Sequence, residues 1–387
     1  MRETLAAMTF LYQLAVLGTP TEVQLSTLSE GIAAALARFN LLLGHDVAWE
    51  ILPTTFKPHQ LQPAAAIFFG GQQVDTANLE ELLERGVPVL PVVSKVDQAQ
   101  VELPAILHPL NCLGYLEAGA KGIATTLLES VGLLPQHRRV FISYRRDEAA
   151  TVATQVFNAL AERQFDVFLD SQGTAPAEEV EALSWHRLYD SDVLLMLDTP
   201  AYFENRWTNA EFGRVLAKGI SVMKVSWPDA ATSLRSATAS VIQLSATDIT
   251  HDSGRIAADA LANICQQLEE IRSQNHAVRS VNLISSIRIA IQAIGGKMLG
   301  VSAHKAVHLQ LPNGEQLTVY PTVGVPIPFN LEEAYKHSPH QSVAVIYDPV
   351  GLHQEGLKHL DWLKTHVQAA SWIKATEAST QFTKWRH

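Results

Sequence analysis

The chain has 387 residues, of which 47% are hydrophobic and 18% are charged, and its formal net charge is −10. This length accommodates two or three domains, and the hydrophobic content predicts filled cores rather than disorder. Lys and Arg cluster only in short pairs such as Arg138-Arg139, which argues against a nucleic-acid-binding surface because phosphate contacts need larger cationic clusters.

The start of the chain and its two cysteines argue against secretion, membrane insertion and metal binding. Residues Met1 to Tyr12 lack the basic-then-apolar order of a signal peptide, and no run of ~18 uncharged apolar residues predicts a transmembrane helix. Cys112 and Cys265 have no His or Cys at metal-ligand spacing, so we expect them to be small buried hydrophobes. These patterns predict a cytoplasmic protein with no membrane contact and no metal site.

The first region, residues 1–135, alternates strand and helix signals. A helix is predicted over Leu28–Leu43 and a strand over Val47–Leu52. Two short apolar runs indicate strands buried on both faces, and between them lies a helix that Gly86 ends: Ala64–Phe69, Leu79–Arg85 and Val87–Val93. This order predicts a parallel sheet with crossover helices, typical of a Rossmann-like α/β domain.

The second region, residues 136–273, repeats that alternation with five short strands. An amphipathic helix over Ala149–Arg163 follows the first strand, and a helix over Ile256–Ile271 closes the region. The predicted strands are Val140–Tyr144, Phe165–Leu169, Val193–Leu197, Ile220–Val225 and Ser240–Leu244. Such a pattern predicts a flavodoxin-like doubly wound parallel sheet, whose ligands bind beyond the carboxyl ends of the strands.

The third region, residues 274–387, has a different pattern. A helix is predicted over Val281–Ile294, and Asn313-Gly314 between two short apolar segments is a strong hairpin signal. A buried strand at Ser342–Tyr347 and a helix at Leu357–His366 complete a small α+β domain. The histidines of this region have no Glu or Cys that completes a metal set, so we expect solvated side chains.

The first two regions share one segment pattern, in which a buried strand is followed by a helix, a glycine and another buried strand. Superposing Gly86 on Gly219 places Asn78 at the position of Glu211 and Val74 at that of Trp207. One interpretation is an internal repeat, in which the first region is a degenerate copy that lost the carboxylate. The alternative is that any two α/β units share this order.

Four sequence boxes in the second region resemble those of TIR (Toll/interleukin-1 receptor) domains. Val140–Asp147 contains the Phe-Ile-Ser-Tyr run of the family's first strand, and Phe165–Asp170 followed by Gly173 resembles its second strand and BB loop. Tyr189–Leu197 resembles the segment that ends in its third strand, and Trp207-Thr208-Asn209-Ala210-Glu211 matches the Trp-x-x-x-Glu of NAD-cleaving members. The resemblance covers about a third of the chain, with the boxes in order and at the expected spacing.

The resemblance implies that Glu211 is the catalytic carboxylate of an NAD nucleosidase. Cleavage of the nicotinamide–ribose bond develops positive charge on the ribose, which a fixed carboxylate stabilises. Nicotinamide leaves as a neutral group, so one carboxylate suffices where ordinary glycosidases use two. The alternative for Glu211 is a solvated helix glutamate.

Six further residues are expected to line the NAD site. Trp207 lies one helical turn before Glu211 and would share its face, either as a pocket wall or as core. The others lie at predicted strand ends: Ser143, Tyr144, Arg145, Asp170 and Trp227. Asp170 has loop capping as its alternative and Trp227 has turn anchoring. Arg145 is expected to contact the phosphate or ribose, and the adjacent Arg146 has a surface charge as its alternative.

The resemblance implies an NAD+ glycohydrolase or cyclase in bacterial antiviral defence, giving nicotinamide and linear or cyclic ADP-ribose. NAD+ is its substrate and no cofactor is expected. TIR self-association is expected to activate it, and the flanking regions would receive a small-molecule or protein activator. The alternative is a non-enzymatic TIR scaffold or adaptor that acts by homotypic contacts, in which Trp207 and Glu211 would have no function.

Overall fold

The structure is a computed structural model. It describes residues 10–71, 76–134, 138–170, 185–202, 215–230, 239–250, 254–339, 341–350, 352, 354–367 and 370–385. Three five-stranded sheets follow one another along the chain.

The first sheet is parallel and has the strand order β2-β1-β3-β4-β5. Its elements are β1 (Tyr12–Gly18), α1 (Glu22–Ala37), β2 (Val47–Ile51), β3 (Ala64–Phe69), α2 (Ala77–Arg85), β4 (Val89–Val93), α3 (Ala99–Glu102), β5 (Leu113–Gly114) and α4 (Tyr115–Ser130). The predicted strand Ala64–Phe69 is confirmed, as is the end of α2 at Gly86, which has φ +74°. Helix α1 begins earlier than predicted because the side chain of Thr21 caps it by accepting from the Gln24 N–H.

The second sheet is also parallel, in the order β10-β9-β8-β6-β7. It consists of β6 (Arg139–Ser143), β7 (Asp166–Asp170), β8 (Val193–Asp198), β9 (Ser221–Ser226) and β10 (Ser240–Gln243), with α5 (Arg146–Glu162) after β6. Counted from its own first strand, each of these two sheets has the order 2-1-3-4-5, which is the flavodoxin-like arrangement. The predicted fold class is therefore confirmed for the second region, and the first region has the same topology.

The third sheet is mixed, in the order β11-β12-β13-β14-β15. Its first two pairings are antiparallel and its last two are parallel. The strands are β11 (Lys297–Val301), β12 (Val307–Gln310), β13 (Gln316–Thr322), β14 (Val343–Tyr347) and β15 (Ser371–Lys374). The predicted hairpin is confirmed as β12–β13, where Gly314 adopts φ +86°.

One long helix, α6 (Ala258–Ala293), joins the second sheet to the third, and α7 (Pro328–His337), α8 (Gln354–His366) and α9 (Ala378–Thr383) follow. The prediction of two helices, ending at Ile271 and starting at Val281, is wrong, and the predicted boundary after Ser273 falls inside α6. The polar residues in the middle of α6 have partners within the fold. Asn275 donates to the Ser221 hydroxyl at 3.0 Å, and Ser273 is fully buried and donates to the Glu270 carbonyl at 2.8 Å.

A buried ionic network joins the first two sheets to α6. Arg138 donates to Glu269 of α6 at 2.8 and 3.2 Å, and its guanidinium lies between the rings of Phe39 and Phe165. The Tyr12 hydroxyl of β1 donates to Glu269 and accepts from Arg272 at 2.7 Å. Arg138 and Arg272 are fully buried and Glu269 is 5% exposed, so this network excludes bulk water. We call it the Glu269 network.

Candidate active site of the second sheet

The carboxyl ends of β6, β8 and β9 carry buried polar side chains. Ser143, the last residue of β6, is fully buried, and its hydroxyl lies 2.5 Å from that of Tyr202. Tyr144 is also buried, at 7% exposure. The strand end therefore brings Ser143 against the chain that follows β8, where the sequence pattern predicts the ligand site.

Arg145 lies at the start of α5 and bridges two loops. Its guanidinium donates to the carbonyl oxygen of Ala201 at 2.7 Å, while Arg146, the next residue, is exposed. Of the two arginines, Arg145 is thus the one held at the carboxyl edge of the sheet, beside the loop that leaves β8.

An ion pair that the sequence analysis did not identify lies between β8 and β9. The Asp198 carboxylate is 3.0 Å from the Lys224 ammonium and accepts from the Ser226 hydroxyl at 3.1 Å. These three residues are all at most 6% exposed. The signals were an Asp directly after an apolar strand and a Lys inside one, and the pairing of β8 with β9 joins them.

Trp227 follows β9 directly. Its backbone N–H donates to the Asp198 carbonyl at 3.0 Å, and its own carbonyl accepts from the Gln243 amide at 2.9 Å. Its side chain packs partly buried against the core of the second sheet. These contacts fit the turn-anchoring interpretation, and the partly exposed ring is also compatible with stacking on a ligand.

Three further predicted site residues are Asp170, Trp207 and Glu211. Asp170 ends β7 and is in register with Ser143 of β6. Trp207 and Glu211 lie outside the described residues, which end at Tyr202 and resume at Val215. The catalytic role of Glu211 therefore stays a prediction.

In the first region, Asn78, which the sequence superposition of Gly86 on Gly219 matches to Glu211, has a structural role. The Asn78 side-chain oxygen accepts from the Phe56 N–H at 2.8 Å, and its amide nitrogen donates to the Phe56 carbonyl at 3.2 Å. Asn78 thus holds the loop before β3 against the start of α2 through these two hydrogen bonds. Both glycines of the superposition end a helix with a left-handed φ, +74° at Gly86 and +73° at Gly219.

Residues 140–258 match the family model described as the TIR domain, so this part of the chain is a TIR domain. The match begins at Val140 in β6 and ends at Ala258, the first residue of α6. No curated protein matches the chain. Within the described ranges, no helix is long and apolar enough to span a membrane, and no three His, Cys, Asp or Glu residues are grouped to hold a metal ion.

Proposed function

We propose that the TIR domain cleaves the nicotinamide–ribose bond of NAD+, with Glu211 as the catalytic carboxylate. The observation that carries the proposal is the Trp207-x-x-x-Glu211 motif in the segment after β8 of a TIR sheet. The described chain enters that segment at Tyr202, whose hydroxyl contacts Ser143 at the ligand-binding edge of the sheet.

The reaction needs one anion and a site that holds the ribose. As the bond from C1′ to the nicotinamide nitrogen breaks, its electrons neutralise the pyridinium, and positive charge develops on the ribose. The Glu211 carboxylate stabilises that charge electrostatically. Water then attacks C1′ and loses a proton to give ADP-ribose, or a nucleophilic atom of the same molecule attacks to give the cyclic product. Ser143, Tyr144, Arg145, Asp170, Trp207 and Trp227 would line the substrate site.

The test is nicotinamide release from NAD+ by the purified full chain, resolved by chromatography. TIR domains self-associate, so the assay covers a range of protein concentrations with and without a crowding agent. We expect Glu211→Ala and Glu211→Gln to lower the rate at least ~100-fold, as the loss of one preorganised electrostatic group does. The matched control is Glu162→Gln, which removes an exposed carboxylate at the far end of α5.

Three outcomes separate the parts of this proposal. Absence of nicotinamide at every concentration contradicts the enzymatic function and leaves a scaffold that acts by homotypic contacts. Activity that survives Glu211→Ala contradicts the assigned carboxylate only. The ratio of cyclic to linear ADP-ribose then decides between messenger synthesis and NAD+ depletion. The proposed place of this activity in bacterial antiviral defence is tested by phage challenge of cells that carry wild-type or Glu211→Ala protein.

A further inference from the structure

A cavity of about 850 Å³ lies where the three domains meet, at the opposite edge of the TIR sheet from the candidate active site. Arg139, which begins β6, and Asp192, which precedes β8, line it from the TIR domain. Ala64 and Pro88, at the starts of β3 and β4, line it from the first domain. The middle of α6 and the third domain supply the remaining walls. We call this space the junction cavity.

The turn between β11 and β12 is strained and places two basic side chains at the junction cavity. His304 and Lys305 are consecutive non-glycine residues, each with φ +58°. A left-handed conformation is strained for a non-glycine residue, and such strain concentrates at functional sites. The turn is closed by the Ser302 N–H, which donates to the Ala306 carbonyl at 2.8 Å.

Lys305 is a cation without a carboxylate partner in the part of the chain that the structure describes. Its ammonium donates to the His276 imidazole at 3.1 Å and forms no ion pair there. Burial lowers the pKa of Lys305 to about 8, so the ammonium is still mostly charged at neutral pH. The junction cavity therefore presents a positive charge that no carboxylate of the described residues contacts directly.

Three of the five acidic residues of the same wall are already engaged. The Glu129 carboxylate lies 2.7 Å from the His304 ring nitrogen. Asp190 accepts from Arg139 at 2.6 Å and from the Val325 N–H at 2.9 Å. Asp192 accepts from the Arg139 N–H at 3.2 Å and lies 3.6 Å from Arg272. Glu129 and Asp192, the two carboxylates whose charges act on Lys305, are thus engaged with other cations, and Glu84 and Glu333 of the wall form no ion pair with Lys305.

Other hydrogen-bond donors in the wall lack acceptors among the described residues. Arg288 Nη2, Arg139 Nε and the Ser280 hydroxyl are buried atoms without such a partner. All three residues line the junction cavity. Because a buried donor without an acceptor costs free energy, an acceptor brought to these donors would stabilise the wall.

The remainder of the wall fits the organic part of a ligand. Val281 and Ile284 of α6, with Ile327 and Phe329 at the start of α7, provide apolar surface. The carboxyl end of β13 and the beginning of α7 both face the junction cavity, which is where α/β sheets bind anionic ligands. The volume lies within the ~300–1,000 Å³ range of small-molecule sites.

We propose that the junction cavity binds a small phosphorylated organic molecule, with a phosphate group at Lys305 and the organic part against α6 and the start of α7. A phosphate has three acceptor oxygens, which match donors on several walls better than a single carboxylate does. The bound molecule contacts all three domains and therefore stabilises their observed arrangement. This inference does not depend on NAD+ cleavage at the opposite edge of the sheet.

Isothermal titration calorimetry of the full chain tests the proposal. The probes are a panel of nucleoside and sugar phosphates, inorganic phosphate and citrate. We expect at least one organic phosphate to bind more tightly than inorganic phosphate and citrate. Lys305→Met should weaken that binding at least tenfold, whereas Lys121→Met, the same change on the exposed face of α4, should leave it unchanged. Arg288→Gln is the second variant should Lys305→Met fail to fold.

The proposal is overturned if no organic phosphate binds, if Lys305→Met and Arg288→Gln bind it as the wild type does, or if inorganic phosphate or citrate binds equally tightly. Nicotinamide release is measured on the same samples. Glu211→Ala should keep the calorimetric signal of the junction cavity, so failure at one site is distinguishable from failure at the other.

Discussion

Replacing Glu269 by Gln should destabilise the protein by about 3–5 kcal/mol, the usual effect of breaking a buried ion pair on one side. The carboxylate accepts from Arg138 at 2.8 and 3.2 Å and from Arg272 at 3.3 Å, besides the Tyr12 hydroxyl. Each hydrogen bond to a charged group contributes about 1.5–3 kcal/mol. The amide of Gln would place an N–H donor against Arg138, and the guanidiniums of Arg138 and Arg272 would lose the negative charge that neutralises them.

The assay is a urea titration followed by tryptophan fluorescence, with hydrogen exchange of the α6 amides to separate release of one domain from global unfolding. The control is Glu270→Gln, one residue along α6 and exposed, for which we expect a change within about 0.5 kcal/mol. Arg138 and Arg272 hold the pKa of Glu269 below its usual range despite its burial. The stabilising contribution of Glu269 is therefore fully present above the pKa that it has in the unfolded chain, and it is lost as the pH falls through its lower pKa in the folded protein. The free energies of unfolding of Glu269→Gln and Glu270→Gln should therefore become similar in acid. Equal stability of Glu269→Gln and Glu270→Gln at neutral pH would refute the reasoning.

Three further substitutions test individual positions by urea unfolding. Lys305→Met should stabilise the ligand-free protein at pH 7, because a pKa lowered from 10.5 to about 8 corresponds to at most roughly 3 kcal/mol. Wild-type stability should rise between pH 8 and 10.5, where only the folded Lys305 releases its proton, and a Lys305→Met protein that shows the same rise contradicts this assignment. Asn78→Ala should cost about 1–3 kcal/mol by leaving the Phe56 backbone without its partner, and should leave nicotinamide release unchanged. Gly132→Ala should destabilise by at least about 1 kcal/mol, because φ is +74° and the new Cβ would lie 2.5 Å from the His276 ring. Gly356→Ala, which meets no atom within 4 Å, is its control, and equal effects of the two would count against the steric argument.

The parallel sheets could be predicted because buried strands such as Ala64–Phe69 are continuous apolar runs between helices. Strand β1 was not predicted, although it is central to the first sheet, where β2 and β3 flank it. Its position depends on pairings with segments about 35 and 50 residues away, which a local pattern does not contain. The continuity of α6 could not be predicted for a similar reason, because the polar residues in its middle form hydrogen bonds with distant parts of the chain.

The candidate active site could likewise be predicted only in part from the sequence. Ser143 and Arg145 could be predicted because a strand end fixes their position. The pairing of Asp198 with Lys224 could not, because it requires the register in which Asp198 faces Ser226 and Met196 faces Lys224. The expectation of solvated histidines is wrong for His308, which is 4% exposed and whose pKa burial lowers to about 4.

The rings of His304 and His337 stack with their centres 3.6 Å apart, and both residues line the junction cavity. No sequence pattern predicted that cavity, because its walls come from all three regions of the chain and depend on a turn with two left-handed residues. Such a turn has no fixed signature unless glycine occupies it.

The two proposed sites lie at opposite ends of the same TIR strands. Strand β6 begins with Arg139 at the junction cavity and ends with Ser143, and β8 runs from beside Asp192 to Asp198. Five or six residues of β-strand span roughly 17–20 Å, so a ligand at one edge does not touch the reacting atoms at the other. An effect of the cavity ligand on NAD+ cleavage therefore requires a change in how TIR domains are presented to one another. The Glu269 network joins the TIR domain to β1 and α6 at the edge of the sheet that faces the cavity. A change in how TIR domains meet would therefore alter the surroundings of the opposite, carboxyl edge.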